Sequence, residues 1–478
     1  MSTPTPGRRV ARRQRRRPDR GALVGGGAVA LAGLLLAAAS WVETEPEQPA
    51  RPTTVAIDRT TAACLGSRAS ESAEVFTVAA PLQSEVADAG EDGTLEVGSG
   101  DEPDREVESG DRGALRTLEA PTAGAALVVT ATGEPAVGRA TFQVDRSPDD
   151  ALVGVQECLP PRARWWFTGG GAGLDHRSRL VMANVDPGPA VVDVVVHGPD
   201  GVVDSVDTRG ITIAPGDVRT IDLVEVAPQT EELAVHVEAS RGRVVAGLAD
   251  AFATSPAATP GHEWVPVQPE AARVVRLAPL PRRAERRTLV LANPTDREAL
   301  VDVEVSGEGG AFAPTDVAQV RVPPGSVVSA DLDQVVGDDA SAVVLRSPVP
   351  VTATVRSAVG ADVSYAAAVP VLTGPAVAVL AGGTRADIHL TAGDDAATAT
   401  VTAYTADGGE VESVELELPP TATLAWSPEG AADYVVVTPG EGGVAGGVAL
   451  AGSAGLSQVP LRPLPVALRQ PVVVPVVR

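Results

Sequence analysis

The chain has 478 residues, enough for several domains of about 100–150 residues each, and 44% of them are hydrophobic. Its formal net charge is −24, and all 38 of its basic residues are arginine. Such an acidic chain would repel phosphate backbones, which argues against nucleic-acid binding, and the lack of lysine excludes a Walker loop.

The N-terminus combines a basic cluster with an uncharged apolar segment. Residues 1–20 hold eight arginines against one acid, Asp19. As a helix, residues 21–42 would span about 33 Å, close to the thickness of the hydrocarbon layer. Since positive charge stays inside, we predict a single-pass cell-membrane protein with a cytoplasmic N-terminus and an extracytoplasmic C-terminal region. The alternative is a cleaved signal peptide, for which residues 37–39 offer a small-residue cleavage site.

The chain has two cysteines, Cys64 and Cys158, both in the region predicted to be exported. An oxidising compartment favours a disulfide between them. Two free buried thiols are the alternative. Two cysteines are too few for a structural zinc site, so no metal is expected from them.

A strongly acidic segment separates the two cysteines. Residues 84–113 hold eleven acids and two arginines. Low hydrophobicity and high charge predict a disordered loop. A calcium site is the sharper alternative, but the acids lack the spacing that folds a calcium loop around the ion.

An internal repeat organises the rest of the chain. Residues 179–203 and 288–312 align without a gap at an offset of 109 residues. Asn184 and Asn293, the chain's only asparagines, occupy equivalent positions, where we interpret them as turn formers. A weaker copy covers residues 388–411, and a divergent copy precedes the others.

Each copy alternates apolar and polar residues with the period of a β-strand. Val301, Val303 and Val305 alternate with Asp302, Glu304 and Ser306, for example. About seven such strands per copy predict an all-β fold of tandem immunoglobulin-like or fibronectin-like β-sandwich modules after a single N-terminal transmembrane helix. An eight-bladed propeller with two blades per copy is the alternative. Short proline-rich connections predict a semi-rigid rod standing off the membrane.

These patterns divide the chain into eight parts. They are a basic cytoplasmic tail (1–20), a transmembrane helix (21–42), a linker (43–60), a divergent β-module with the disulfide and the acidic loop (61–163), β-sandwich module 1 (164–268), module 2 (269–372), module 3 (373–460), and a proline-rich C-terminal strand or tail (461–478).

The search for chemistry turns first to the stretch RWWFTGGGAG, residues 164–173. Its glycines miss the dinucleotide-binding spacing and lead into a strand, so we interpret them as a turn at the start of a module. Trp165 and Trp166 must face opposite sides of a strand, and whichever points outward is a candidate contact residue.

The other motifs of catalysis are also missing. The five histidines lack the spacing of a zinc helix motif, Ser453 lacks the glycine pattern of a nucleophile elbow, and no carboxylate pair is marked among the many acids. We therefore assign no catalytic residue, no cofactor and no metal, and we expect a protein that is not an enzyme.

Several of these features together resemble a known family. They are the arginine-rich tail, the single span, the pair Cys64 and Cys158, the stretch RWWFTGGG and the Leu-Val-x-Ala-Asn strand exits. They resemble actinobacterial membrane-anchored envelope proteins that are known only as a domain of unknown function. The resemblance implies an envelope location and a β-rich exported region, and it carries no activity.

The expected function is therefore that of a non-enzymatic, membrane-anchored scaffold or binding protein of the cell envelope. Its partner would be an envelope protein or a glycan, with the membrane contacted through one helix. An accessory subunit of an envelope polysaccharide-synthesis or transport complex is the alternative, and an envelope hydrolase is the third hypothesis. A concave pocket would favour glycan binding, and a flat apolar strip would favour a protein partner.

Overall fold

The computed structural model describes residues 53–66, 72–82, 93–99, 102–146, 152–255, 257–282, 284–337, 339–452 and 455–470. These residues form strands almost throughout, so the predicted all-β class is confirmed. The predicted basic tail and the predicted helix at 21–42 lie outside them. No helix within the described ranges is long and apolar enough to span a bilayer.

The chain divides into two compact units, one of residues Val55–Leu468 and one of Met1–Thr54 with Arg469–Arg478. Strands β1 (Thr53–Ala56) and β35 (Ala467–Gln470) pair in a two-stranded sheet. All other strands belong to four pairs of sheets that follow one another along the chain.

The first pair of sheets is the N-terminal module. Its strands are β2 (Arg59–Leu65), β3 (Ser72–Ala79), β4 (Leu95–Ser99), β5 (Glu102–Val107), β6 (Arg116–Glu119), β7 (Ala126–Thr132), β8 (Arg139–Arg146) and β9 (Leu152–Glu157). A 3₁₀ turn, Glu134–Ala136, joins β7 to β8.

The second pair of sheets is module 1, which contains the single described α-helix, α1 (Leu223–Val226). Its strands are β10 (Arg164–Gly170), β11 (His176–Ala183), β12 (Ala190–Gly198), β13 (Gly201–Val203), β14 (Ile211–Ile213), β15 (Val218–Asp222), β16 (Leu233–Arg241), β17 (Val245–Phe252) and β18 (Gly261–Val265).

Modules 2 and 3 complete the set. The strands of module 2 are β19 (Ala272–Leu280), β20 (Arg286–Ala292), β21 (Ala299–Gly307), β22 (Gly310–Phe312), β23 (Gln319–Val322), β24 (Val327–Asp331), β25 (Ser341–Val359) and β26 (Asp362–Ala366). Those of module 3 are β27 (Ala376–Val379), β28 (Arg385–Ala392), β29 (Ala397–Tyr404), β30 (Glu410–Leu418), β31 (Thr423–Trp426), β32 (Tyr434–Pro439), β33 (Val444–Ala451) and β34 (Leu456–Pro460).

All four modules share one strand order. The short strands β14 and β23, which add to the third strands of modules 1 and 2, are left out of the numbering. Numbered by position within a module, one sheet then has the order 1-6-3-4 and the other has the order 5-2-7-8. In module 2 the long strand β25 serves as both the sixth and the seventh strand, because its two halves pair in different sheets. Each module, including the divergent N-terminal one, therefore has eight strand positions, whereas the sequence predicted about seven.

The two sheets of a module are joined at one edge. The chain just after each eighth strand forms a bridge to the first strand of the same module: Ala63 with Leu159, Trp166 with Gln268, Leu277 with Ala368, and Ala376 with Pro463. Buried apolar residues from both sheets then form a shared core, as Phe167, Leu180, Val192 and Leu248 do in module 1.

Within residues Val55–Leu468 the four modules form a closed ring instead of the predicted rod. The eighth strands contact one another in cyclic order: β9 with β18, β18 with β26, β26 with β34, and β34 again with β9. The N-terminal module and module 3 close the ring, where the Leu115 amide donates to the Ala406 carbonyl at 2.8 Å and the Tyr434 hydroxyl donates to the Gly113 carbonyl at 2.7 Å.

The acidic segment 84–113 was expected to be disordered, and the structure corrects this for much of its length. Strands β4 and β5 form a hairpin there, and β4 also pairs with β7. Leu95 and Val97 of β4 point into the module core, so two apolar side chains in alternation are enough to fold a segment that its acids made look unstructured. Residues 83–92 and 100–101 lie outside the described ranges.

The repeated asparagines are buried at equivalent turns, in agreement with their interpretation as turn formers. Asn184 donates to the carbonyls of Gly188 and Ile213, and its own oxygen accepts from the amide of Asp186. Asn293 makes the same set of bonds one module later, with Arg297, Val322 and Thr295. Each buried side-chain amide thus satisfies backbone groups of the turn that follows it and of an adjacent strand.

Candidate functional site

Trp165 and Trp166 lie on β10, and the structure buries both. Trp165 belongs to the core of module 1, where its indole N–H donates to the Val244 carbonyl at 3.0 Å. Trp166 pairs in register with His236 and stacks on its ring, with 4.1 Å between ring centroids. Trp166 is 6% exposed, so the contacts of this candidate contact residue are with other parts of the same chain.

The glycines that follow the tryptophans allow close approach and do more than form a turn. Gly169 has φ +100° at a bulge within β10, and a Cβ there would lie 2.6 Å from Thr354 of module 2. A Cβ on Gly171 would lie 2.2 Å from His176 Nδ1. The stretch RWWFTGGG is therefore the joint between modules 1 and 2, and Thr168 adds a hydrogen bond across it to Thr352.

A buried charged network lies beside this joint. Asp250 accepts hydrogen bonds from Ser178 and from Tyr365 of module 2, and His176 Nε2 lies 3.2 Å from its Oδ1. Although burial opposes both shifts, the pairing lowers the pKa of Asp250 and raises the pKa of His176. The Ser178 hydroxyl donates to the aspartate, whereas in a catalytic triad the serine bonds the histidine. All three side chains are also at most 3% exposed, so we interpret the group as a structural network and not as a catalytic triad.

A second group of buried acids lies where the eighth strands meet. Glu263 of β18 is buried, which raises its pKa well above the usual value, although it accepts from the Trp264 amide. Burial also raises the pKa of Asp362, at the start of β26, to about 7, and this side chain accepts from the Leu456 amide of β34. The bond to Asp362 ties module 2 to module 3.

The predicted disulfide between Cys64 and Cys158 is confirmed. The two residues are 0% and 4% exposed, with Cα atoms 4.7 Å apart. The bond fixes β2 to the segment that leaves β9, and this segment runs on into module 1. It thereby holds in place one wall of a large cavity.

That cavity has a volume of about 1130 Å³ and lies between three parts of the ring. The N-terminal module supplies one wall, the turns of module 1 around Asn184 and Gly216 supply a second, and the segment after β34 supplies a third. The volume slightly exceeds the range of roughly 300–1,000 Å³ that is typical of ligand pockets. We take this cavity as the candidate functional site.

The charges that line the cavity are mainly positive. Five arginines and two carboxylates border it: Arg59, Arg139, Arg162, Arg243, Arg462, Glu157 and Asp186. Each carboxylate pairs with one arginine, Glu157 with Arg462 at 3.1 Å and Asp186 with Arg243 at 2.8 Å. Three arginines remain without an ion pair to any residue that the structure describes. A basic cavity in a chain of net charge −24 is the main feature that the sequence did not predict.

A smaller cavity of about 230 Å³ lies between the N-terminal module and module 1 and is lined by Asp145, Asp250 and Glu263, among others. It falls below the usual size of ligand pockets. Over the described ranges, no group of three or more His, Cys, Asp or Glu side chains could hold a metal ion.

Comparison with known proteins gives a family but no activity. A search of curated proteins returned no match. Among solved structures, the α-L-rhamnosidase of Streptomyces avermitilis, complexed with L-rhamnose, aligns at 10% identity and a TM-score of 0.12, over 82% of this chain and 56% of that chain. A TM-score this low gives no evidence of a common fold. A family model described as a family of unknown function, DUF5719, matches residues 117–429. Because this match covers more than half of the sequence, the chain belongs to DUF5719.

Proposed function

We propose that this protein is a non-enzymatic, membrane-anchored binding protein or scaffold of the cell envelope. The anchor and the export are inferred from the eight N-terminal arginines and the apolar segment at 21–42. The buried disulfide supports an oxidising compartment, because such bonds persist outside the cytoplasm.

We also propose that the four modules are immunoglobulin-like sandwiches. In each module the second strand pairs with the fifth and the third pairs with the sixth, which matches the B–E and C–F pairs of that fold. The first and seventh strands have exchanged places, because the first lies beside the sixth and the seventh beside the second. This exchange puts the eighth strand at the sheet edge that contacts the neighbouring modules.

The single observation that carries the binding function is the preformed cavity of about 1130 Å³ within a closed ring. One wall is cross-linked by the disulfide at Cys158, and a buried hydrogen bond from Tyr434 to Gly113 helps to close the ring. A preformed site loses little conformational entropy when a ligand binds, so a rigid ring suits a binding protein.

The proposal is tested by locating the protein and then purifying it. Protease added to spheroplasts should digest the region after residue 42, and deletion of residues 1–42 should leave the protein unexported. Protection of the full chain from external protease would contradict the proposal.

Purification in detergent separates the remaining hypotheses. A stoichiometric membrane partner would indicate the accessory subunit. Degradation of envelope glycans that survives purification, and is lost with substitution of one carboxylate, would indicate a hydrolase and overturn the non-enzymatic proposal.

A further inference from the structure

We infer that the large cavity binds an oligosaccharide segment bearing phosphate or carboxylate groups, through the guanidinium groups of Arg59, Arg139 and Arg162. This inference rests on the proposed function for the origin of the ligand in the envelope. The anion-binding chemistry itself rests on the cavity alone.

The first argument is the balance of charge. Glu157 and Asp186 are each engaged by their own arginine, Arg462 and Arg243. Arg139 bonds neutral acceptors only, the Pro135 carbonyl at 2.6 Å and the Thr77 hydroxyl at 3.2 Å. The arginines that line the cavity therefore outnumber its lining carboxylates by three. The carboxylates that act on Arg162 and Arg139, which are Glu157 and Glu134, already pair with Arg462 and Arg112.

The second argument is the cost of leaving such charges uncompensated. Arg139 is 7% exposed, and burial together with the nearby Arg112 lowers its pKa to about 10. Burial and the charge of Arg462 also lower the pKa of Arg162. A buried cation with too little opposing charge nearby is unfavourable, so a bound anion would stabilise these arginines.

The third argument is the shape and chemistry of the remaining lining. Guanidinium groups bind phosphate and carboxylate with two parallel hydrogen bonds, which gives both strength and geometry. The hydroxyls of Thr60, Thr61 and Thr130 also border the cavity, beside apolar residues such as Leu159 and Val128. Hydroxyl and apolar surfaces together suit a sugar ring, and the volume accommodates more than a single phosphate.

The test is calorimetric titration of the full chain in a non-ionic detergent. The probes are inorganic pyrophosphate, a trigalacturonate that carries carboxylates, and neutral maltotriose as the uncharged control. We expect one or both anions to bind, with an affinity that falls as salt rises from about 50 to 200 mM, and maltotriose not to bind. The two anionic probes separate phosphate recognition from carboxylate recognition.

Variants then assign the binding to the cavity. Arg59→Gln and Arg162→Gln should each lower the affinity for the anion about 10-fold or more, because each removes a charged hydrogen-bond donor. Arg241→Gln is the matched control, since Arg241 is exposed on β16 and does not border the cavity. Arg59 is also exposed, so Arg59→Gln tests the site without loss of packing.

Two results would overturn the inference. One is the absence of binding by both anions at low salt, and the other is equal weakening by Arg241→Gln and by the two cavity variants. Neither result bears on export or membrane attachment, which the protease and deletion experiments test separately. Failure of this inference is therefore distinguishable from failure of the proposed function.

Discussion

Arg356 of module 2 donates two hydrogen bonds to Glu232 of module 1, at 2.6 and 3.0 Å, and both side chains are buried. The guanidinium also lies 4.2 Å from the centroid of the Phe252 ring. Despite burial, the Glu232 carboxylate raises the pKa of Arg356. The pair holds two modules together beside the network around Asp250.

Arg356→Met should lower the free energy of unfolding by about 3–5 kcal/mol, because it leaves a buried carboxylate without its counter-ion. The double variant Glu232→Met with Arg356→Met should recover most of that loss, since it removes both charges. Denaturant unfolding of the three proteins measures the difference. Arg321→Met is the control, because the pair of Arg321 with Glu298 is exposed and should contribute less than about 1 kcal/mol. Equal effects of Arg356→Met and Arg321→Met would refute this account of the joint.

Asn184→Ala and Asn293→Ala should each lower the free energy of unfolding by about 2–4 kcal/mol, and the two losses should be similar. Each change removes the side-chain donor from one buried and one partly buried backbone carbonyl, and the side-chain acceptor from one backbone amide. Thermal and denaturant unfolding of the two variants checks the prediction. A loss below about 0.5 kcal/mol in either one would mean that the turns do not depend on the asparagine.

Replacement of the disulfide by Cys64→Ala with Cys158→Ala should lower the free energy of unfolding by about 4–5 kcal/mol in the chain-entropy model. The bond closes a loop with a sequence separation of 94 residues, which would otherwise be free in the unfolded chain. Unfolding of the native protein in the presence of a reductant should show the same decrease in the free energy of unfolding. An unchanged denaturation midpoint in the variant would contradict this contribution.

Asp362 should make the protein less stable at pH 8 than at pH 5. Its pKa rises from 3.8 to about 7 in the folded protein because of burial. Between those values the unfolded chain is ionised while the folded chain keeps its proton, so rising pH favours unfolding. Above about pH 7 both forms are ionised and the loss is complete.

Asp362→Asn should therefore flatten the stability profile between pH 4 and 7 and raise stability at pH 8 by about 2 kcal/mol. Some slope should remain, because burial also raises the pKa values of Glu157 and Glu263. Urea unfolding at both pH values is the measurement, with exposed Asp296→Asn as the control. A profile of Asp362→Asn parallel to that of the native protein would contradict the role given to Asp362.

The sequence predicted the features that depend on local pattern. Alternating valines predicted strands such as β21, and the 109-residue repeat predicted equivalent turns at Asn184 and Asn293. The two cysteines, both in the region expected to be exported, predicted the disulfide. Each of these follows from residues that are close in sequence or from a simple count.

The ring could not be predicted in this way, because its contacts join distant residues. The Val155 amide donates to the Ser457 hydroxyl at 3.0 Å across a separation of 302 residues. The sequence does mark the end of each module, since an apolar-proline step follows each eighth strand or ends it, at Leu159, Val265, Val369 and Val459. A rod of four modules would have the same four steps.

The cavity was missed for a related reason. Arg59, Arg162 and Arg462 come from three separate segments, and nothing in their spacing indicates that they share a wall. The net charge of the chain was also a poor guide, because a sum of −24 over all residues does not indicate the charge at one site. The hairpin of β4 and β5 is a second example, because its many acids predicted disorder although Leu95 and Val97 are buried.

Closure of the ring is the claim on which the cavity and the binding proposal depend. It is tested most directly by a disulfide across the contact between the N-terminal module and module 3. Leu115→Cys with Ala406→Cys places cysteines at two residues whose backbones share a 2.8 Å hydrogen bond. Residues so joined lie near the Cα separation of roughly 4.4–6.8 Å that a disulfide requires.

The measurement is the yield of the 115–406 cross-link in the monomeric full chain after mild oxidation, read by non-reducing peptide mass spectrometry. Ala406→Cys with the exposed Arg241→Cys is the control pair. A closed ring predicts a high intramolecular yield for the first pair, lost on prior unfolding, and almost none for the control. Absence of the 115–406 cross-link, or its appearance only between molecules, would contradict the ring.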